Sequence, residues 1–230
     1  EVEITYPDGS KDVVTVNVTV RKVSEEYTAT GTQIEVNQNA KVTSDMLKGA
    51  VNATNAQGEN GNAKIAKVES IVPINTTTYG DQTIQAKVTY IDGSEQDVTI
   101  PLKVKDVTDP TILTPEENKN WEMTALDKTL PNMEVSAEDN ANGSGVKTVS
   151  VEGLPDYLEY DSTTNSIKFK AGKQEVEKLP ENTPSKEFNL NIRVEDNAGN
   201  ISERTAKITV SSMSEKKNPT PIPQNTSYGQ

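Results

Sequence analysis

Five acidic residues stand beside turn-forming residues at three separate places in the sequence. Asp106 and Asp109 share one such segment, Glu138 and Asp139 lie in a second, and Asp196 opens a third. Calcium prefers six to eight oxygen ligands, which carboxylates, amides and backbone carbonyls supply. If the three segments meet at one end of a domain, these five side chains form a calcium site.

The same clusters have a plainer interpretation as turns. Asn140 and Asn197 follow two of the acids and would add neutral oxygens to a metal site, but Asp-Asn-Gly clusters are also good turn formers. The chain contains 35 acidic residues, so that some of them must fall in loops. The sequence leaves calcium binding and turn formation open, and it indicates no other cofactor.

The 230 residues include no histidine and no cysteine. This composition excludes Ser-His-Asp and Cys-His catalysis, metal sites built on imidazole or thiolate, and disulfides. Paired carboxylates could hydrolyse glycosides, but the acids are spread evenly and no pair stands out. We expect a protein that is not an enzyme.

The net charge of −12 disfavours nucleic acid as a partner, because phosphate binding needs a basic surface. No apolar run approaches the roughly 18 residues of a membrane-spanning helix. The composition therefore predicts an acidic protein without a membrane span, and we expect it to be monomeric.

A repeat with a constant offset of 84 residues connects residues 2–20 with residues 86–104, where eight of nineteen positions are identical. Apolar and polar residues alternate in both copies, and an Asp-Gly-Ser turn stands in the middle. This pattern predicts a β-hairpin with one buried face. We interpret residues 1–23 as the C-terminal hairpin of a truncated repeat and residues 24–107 as a complete one. The chain would then begin inside a module.

The complete repeat contains further elements. Residues 33–36 and 65–72 have the pattern of strands, residues 43–49 that of one helical turn, and the Asn- and Gly-rich residues 52–62 that of a loop. Pro101 interrupts the return strand of the hairpin. Because proline cannot donate a hydrogen bond to a ladder, we expect it to face outward at an edge or a bulge.

The runs ITYPDGSKDVVTVNVTV and INTTTYGDQTIQAKVTYIDGS resemble the Rib/alpha-like repeat of Gram-positive surface proteins. The resemblance covers residues 1–107. It implies an Ig-like β-module that serves as a tandem stalk unit in proteins anchored to the cell wall.

The composition changes at residues 106–110, and about seven short strand-like runs separated by turn clusters follow. This spacing predicts a β-sandwich over residues 108–211. The proline-containing residues 212–230 are expected to form a flexible, disordered linker.

The second half resembles the cadherin-like and bacterial Ig-like modules of Gram-positive adhesins, through EGLPDYLEYDSTTNSIKF, VEDNAGN and DVTDPT. This resemblance implies a spacer that projects a binding head, with calcium at the linkers in some members. Trp121 is the only tryptophan. It either fills the core of this half or forms an exposed stacking platform, and burial statistics favour the core.

Together these observations predict an all-β protein with two Ig-like β-sandwich modules in tandem, a truncated N-terminal hairpin and a disordered tail. The predicted function is that of a non-catalytic spacer in a Gram-positive, cell-wall-attached adhesin, whose neighbours are further repeats of the same polypeptide. The alternative is an adhesin module in which loops of residues 108–211 bind a host glycan or protein.

Overall fold

The structure, a computed structural model, describes residues 1–213 and divides into two units at Asp106 and Val107. Strands dominate both units, so the predicted all-β class is confirmed. From residue 214 onward, the predicted linker lies outside the described residues.

The first unit begins with a short hairpin of β1 (Val2–Thr5) and β2 (Lys11–Val14), which pair antiparallel. Gly9 has φ +85°, which the turn requires and which glycine adopts without strain. The Asp8 carboxylate accepts a 2.9 Å hydrogen bond from the Ser10 amide and fixes the turn. Every residue of this hairpin is exposed.

The remainder of the first unit contains two helical segments and six strands. They are α1 (Val23–Glu26), β3 (Tyr27–Gly31), β4 (Ile34–Asn37), α2 (Ser44–Gly49), β5 (Val51–Asn55), β6 (Ile65–Ser70), β7 (Gly80–Tyr90) and β8 (Glu95–Lys105), with a 3-10 turn at Asn62–Lys64. Strands β4, β8, β7 and β6 form one sheet in that order, and β3 pairs with β5 in a second. The β4–β8 pair is parallel and the other pairs are antiparallel.

Strict alternation in β7 and β8 builds the core of this unit. Ile84, Ala86 and Val88 point inward from β7, and Ile100 and Leu102 do so from β8. Their polar neighbours face solvent, as a sheet with one covered face requires. The second sheet covers the inner face, and the core is almost entirely aliphatic.

Three local expectations have different outcomes. The helical turn is confirmed, since α2 begins after Thr43, whose hydroxyl accepts a 3.2 Å hydrogen bond from the Met46 amide. The loop expected over residues 52–62 is wrong at its start, because Val51–Asn55 is strand β5. Pro101 is exposed and pairs with Thr83 of β7, and the parallel pairing of β8 with β4 begins one residue later, at Leu102.

The described part of the second unit, residues 107–213, has eight strands. They are β9 (Thr111–Thr114), β10 (Lys119–Thr124), β11 (Ser136–Glu138), β12 (Val146–Glu152), β13 (Leu158–Asp161), β14 (Ser166–Phe169), β15 (Ser185–Asp196) and β16 (Ile201–Ser211). Strands β10, β16, β15 and β12 form a sheet in that order, with β10 parallel to β16. The pairs β11–β9 and β13–β14 form two small sheets.

A separate core fills the second unit. Trp121 and Met123 point inward from β10, Ile192 and Val194 from β15, and Ile208 from β16. Trp121 is buried, as burial statistics favoured, and it is not a stacking platform. Neither helix of residues 1–213 is long and apolar enough to cross a membrane.

Candidate calcium site

Two of the five acids singled out in the sequence come together within the second unit. One carboxylate oxygen of Asp139 lies within 4.8 Å of one of Asp196, and these two residues are called here the acidic cluster. Asp109 and Glu138 are not in this cluster, and both are exposed. The second unit therefore contributes two neighbouring carboxylates as candidate ligands.

Asp196 is the last residue of β15 and is fully buried. Its Oδ1 accepts hydrogen bonds from the backbone amides of Ala198 (2.9 Å) and Asn200 (2.8 Å), and its Oδ2 accepts one from the Asn200 side chain (2.7 Å). These bonds build the turn between β15 and β16. The interpretation of this acid as a turn former is therefore correct at this position.

Asp139 directly follows β11, and its Oδ2 accepts a 2.7 Å hydrogen bond from the Gly145 amide. Asn197 joins this loop to the β15–β16 turn, because its amide nitrogen donates to the carbonyls of Ser144 (2.9 Å) and Gly145 (3.0 Å). The cross-link places Asp139 beside Asp196. Asn197, expected to supply a ligand oxygen, thus holds two loops together through its nitrogen.

Asp106 directly follows β8 and is the last residue of the first unit. Asp109, three residues later, is an exposed residue of the second unit and lies outside the acidic cluster. The role of these two acids as calcium ligands stays a prediction from the sequence.

The chemistry of this donor set fits calcium. Both side chains of the acidic cluster offer oxygen, which Ca²⁺ prefers, whereas zinc and copper favour imidazole nitrogen and thiolate sulfur, and this chain has no histidine and no cysteine. A carboxylate has about four acceptor positions, so that the three hydrogen bonds to Asp196 leave capacity for a cation. Turn formation and cation binding are therefore compatible here.

Comparison with known proteins finds a family model that matches the first unit. Residues 1–22 and 24–106 match the Rib domain. The C protein alpha-antigen of Streptococcus agalactiae is 33% identical over 121 residues, which cover 48% of this chain and 11% of that protein. The chain thus spans only about a tenth of the length of this relative.

Solved cadherin structures match the chain at lower sequence identity. Drosophila N-cadherin EC1-4 is 14% identical, with 80% of this chain and 48% of that chain covered and a TM-score of 0.40. Human mucin-like protocadherin EC1-2 is 16% identical, with 81% and 98% covered and a TM-score of 0.38. Residues 1–22 and 24–106 are thus similar to the Rib domain, as their resemblance to Rib/alpha-like repeats predicted.

Proposed function

We propose that this chain is a non-catalytic spacer segment of a Gram-positive surface protein, in which its modules hold a binding domain away from the cell wall. The observation that carries the proposal is the 84-residue repeat, whose two copies both match the Rib domain. A spacer becomes longer when copies of one module are added in tandem. A hairpin and turn that recur at a fixed offset are the sequence pattern expected of such a duplication.

The separate cores support this role. The first unit buries its aliphatic residues in one cluster and the second unit buries Trp121 and its neighbours in another. A module with its own core contributes its own folding free energy, so that further repeats add stability roughly as a sum. The surface carries many exposed acids, and the charge of −12 favours repulsion between neighbouring molecules.

Two measurements test the spacer proposal. Antibodies raised against residues 24–106 should label intact, unpermeabilised cells of the source bacterium. The purified chain should show no saturable binding on arrays of glycans and host extracellular proteins. Absence of surface labelling, or saturable binding that depends on a loop of the second unit, would contradict the proposal.

One observation favours the alternative of a ligand-binding module. A surface cavity of about 700 Å³ lies in the second unit, between the 178–184 loop and the chain near Leu126 and Met213. Leu126 and Met213 are exposed there, which gives the cavity an apolar side. If an array detects a ligand, Leu126→Asp should abolish its binding, and exposed Ile201→Asp, on β16 and outside the cavity lining, should leave it intact.

We also propose that the acidic cluster of the second unit binds Ca²⁺. Asp139 and Asp196 would hold the ion, which would supply positive charge at the point where the two carboxylates lie close together. At a calcium concentration one hundred times the dissociation constant, binding adds about 2.7 kcal/mol to the free energy of unfolding. For a unit of this size that is a rise in melting temperature of roughly 10 °C.

The candidate ligands provide matched controls for the calcium test. Melting is compared in calcium and in chelator for Asp139→Asn, which keeps an acceptor for the Gly145 amide, and for Asp109→Asn, which lies outside the cluster. Asp139→Asn should remove most of the calcium-dependent shift, whereas Asp109→Asn should retain it. An unchanged melting temperature of the wild-type chain in calcium would refute the site.

A further inference from the structure

Asparagine precedes glycine at two places in the chain, Asn60-Gly61 and Asn142-Gly143. In this dipeptide the glycine amide nitrogen can attack the asparagine side chain, because glycine has no Cβ to shield its backbone. The attack forms a five-membered succinimide ring and releases ammonia, and water then opens the ring to aspartate or isoaspartate. Both sites have the same dipeptide, so their surroundings in the fold decide which of them reacts.

The fold of the first unit protects Asn60. Its Oδ1 accepts a 2.7 Å hydrogen bond from the Asn62 amide, which holds the side chain in place. The Gly61 amide, which would be the attacking group, donates to the Ala53 carbonyl at 2.7 Å. Gly61 is also buried against the ring of Tyr27, so closely that an added Cβ would collide with the ring. Attack at this site therefore requires the surrounding structure to open first.

Asn142 lacks this protection and lies in an exposed turn. Among residues 1–213 its side chain has no hydrogen-bond partner, so that it can rotate toward the Gly143 amide. The backbone at Asn142 has φ +57°, a left-handed conformation that asparagine adopts more readily than most residues. The Gly143 amide donates to the Asn140 carbonyl at 2.9 Å, a bond within one turn that can open while every strand stays paired. Asn142 is therefore the more reactive of the two asparagines.

We propose that Asn142 is a site of spontaneous deamidation, that Asn60 is protected from it, and that the reaction loosens the loop that carries Asp139. The Gly143 nitrogen forms a bond to Cγ of Asn142 and gives up its proton. The bond from Cγ to Nδ2 breaks, and Nδ2 leaves with that proton as ammonia. Water then adds to one of the two ring carbonyls, and cleavage of its bond to the ring nitrogen gives aspartate or isoaspartate. Water is the only co-reactant.

The products alter a loop that is held at both ends. Asp139 Oδ2 accepts from the Gly145 amide at 2.7 Å, and the Asn197 side chain donates to the Gly145 carbonyl at 3.0 Å. Isoaspartate carries the backbone through the side chain and so adds one backbone atom to this closed loop. Aspartate keeps the backbone but adds a negative charge three residues from Asp139. Deamidation at Asn142 should therefore weaken the contact between Asp139 and Gly145.

The test follows the masses of tryptic peptides after the full, folded chain has been aged at mildly alkaline pH. Deamidation adds about 1 Da to a peptide, because an NH₂ group is replaced by OH. Fragmentation of the peptide of residues 129–147 should place the added mass at Asn142. The peptide of residues 49–64 should gain mass at Asn60 at least about tenfold more slowly, since attack there needs local opening. No reaction at Asn142, or equal rates at the two sites, would overturn the proposal.

Two controls separate the effect of the fold from that of the dipeptide. In urea the protecting structure is lost, so Asn60 and Asn142 should react at similar rates. A difference of the same size in urea would place its cause in the flanking sequence and would overturn the proposal. Asn142→Gly removes the side-chain amide and keeps a residue suited to φ +57°. The peptide of residues 129–147 from this variant should gain no mass, and an equal gain would assign the reaction to another residue.

The effect on the loop has its own measurement, hydrogen exchange at the amides of residues 139–145. The isoaspartate form, separated from the aged chain, should exchange at least about tenfold faster there than the fresh chain, because the closed loop opens more often. Aged and fresh Asn142→Gly should exchange alike. Unchanged exchange in the isoaspartate form would overturn the proposed loosening. Weaker calcium binding after ageing would rest on the calcium site proposed above, whereas the mass and exchange measurements do not depend on that site.

Discussion

The repeat offers a matched pair of substitutions whose effects on stability should differ sharply. Val20 and Val104 occupy the same position of the repeat, but Val20 is 85% exposed and Val104 is fully buried. Val104 pairs with Gly80 of β7 and Val36 of β4, in the middle of the sheet. Truncation of each valine to alanine removes the same atoms from two opposite environments.

The expected magnitudes follow from burial. Val104→Ala removes two buried methyl groups, worth about 1.6 kcal/mol in transfer free energy, and the cavity raises the total cost to about 2–3 kcal/mol. For a unit of roughly 100 residues this lowers the melting temperature by roughly 10–20 °C. Val20→Ala should change the free energy of unfolding by less than about 0.5 kcal/mol.

The assay combines two spectroscopic signals. Far-ultraviolet circular dichroism follows the strands of both units, and the fluorescence of Trp121, the only tryptophan, follows the second unit. The transition that shifts in Val104→Ala should be the one that tryptophan fluorescence does not report. Equal destabilisation by Val20→Ala would refute the assignment of Val20 to an exposed position and of Val104 to a buried one.

Three further predictions concern single residues. Gly31→Ala should destabilise the first unit by about 3 kcal/mol in urea unfolding, because the added Cβ would collide with the carbonyl oxygen of Thr99 in β8. An unchanged urea midpoint would contradict this close approach. Hydrogen bonds from Ser94 and from backbone amides lower the pKa of Asp92 from 3.8 to about 2. The ionised carboxylate therefore stabilises the fold fully above pH 3.8, and this stabilisation is lost as the pH falls toward 2. Asp92→Asn should make the free energy of unfolding less dependent on pH between these values. Burial, and then the charge of Glu177, raises the pKa of Tyr157 from 10.0 to about 12. The stabilisation from the neutral side chain is therefore complete below pH 10 and is lost as the pH rises toward 12. Ultraviolet titration should show one tyrosine that ionises near pH 12, and Tyr157→Phe should remove it.

Much of the fold follows from local rules that the sequence displays. Alternating valines and isoleucines around an Asp-Gly turn predict both hairpins, and the burial of Val98 and Ile100 follows from the same alternation. Thr43 and Gly49 mark the ends of α2 because capping is a local interaction. Where neighbouring residues along the chain decide the structure, sequence patterns are sufficient.

Features that depend on distant partners were not predictable in the same way. Strand β5 lies in a polar, Asn-containing stretch, and it forms because β3 pairs with it residue by residue from Tyr27 to Gly31. Strand β10 has polar and aromatic residues without a clear strand signal, and its parallel pairing with β16 defines it. Long-range pairing overrides local propensity in both cases.

The candidate calcium site also combines local features, which the sequence predicts, with a long-range contact, which it does not. The sequence identifies acids near the ends of strands, but it does not separate Asp139 from Glu138. Asp139 lies beside Asp196 because Asn197 is hydrogen-bonded to the loop of Ser144 and Gly145, a contact that spans more than fifty residues of sequence. Such a contact leaves no periodic signal in the chain.

The parallel pairing of β4 with β8 determines how the first unit resists mechanical force. The chain enters β4 from the turn end of β8 and leaves β8 at its opposite end, so that tension along the polypeptide pulls these two strands past each other. Their hydrogen bonds, which run across the strands, are then loaded together and must break together. The second unit repeats this arrangement with β10 and β16, so the same strand geometry opposes stretching within each unit.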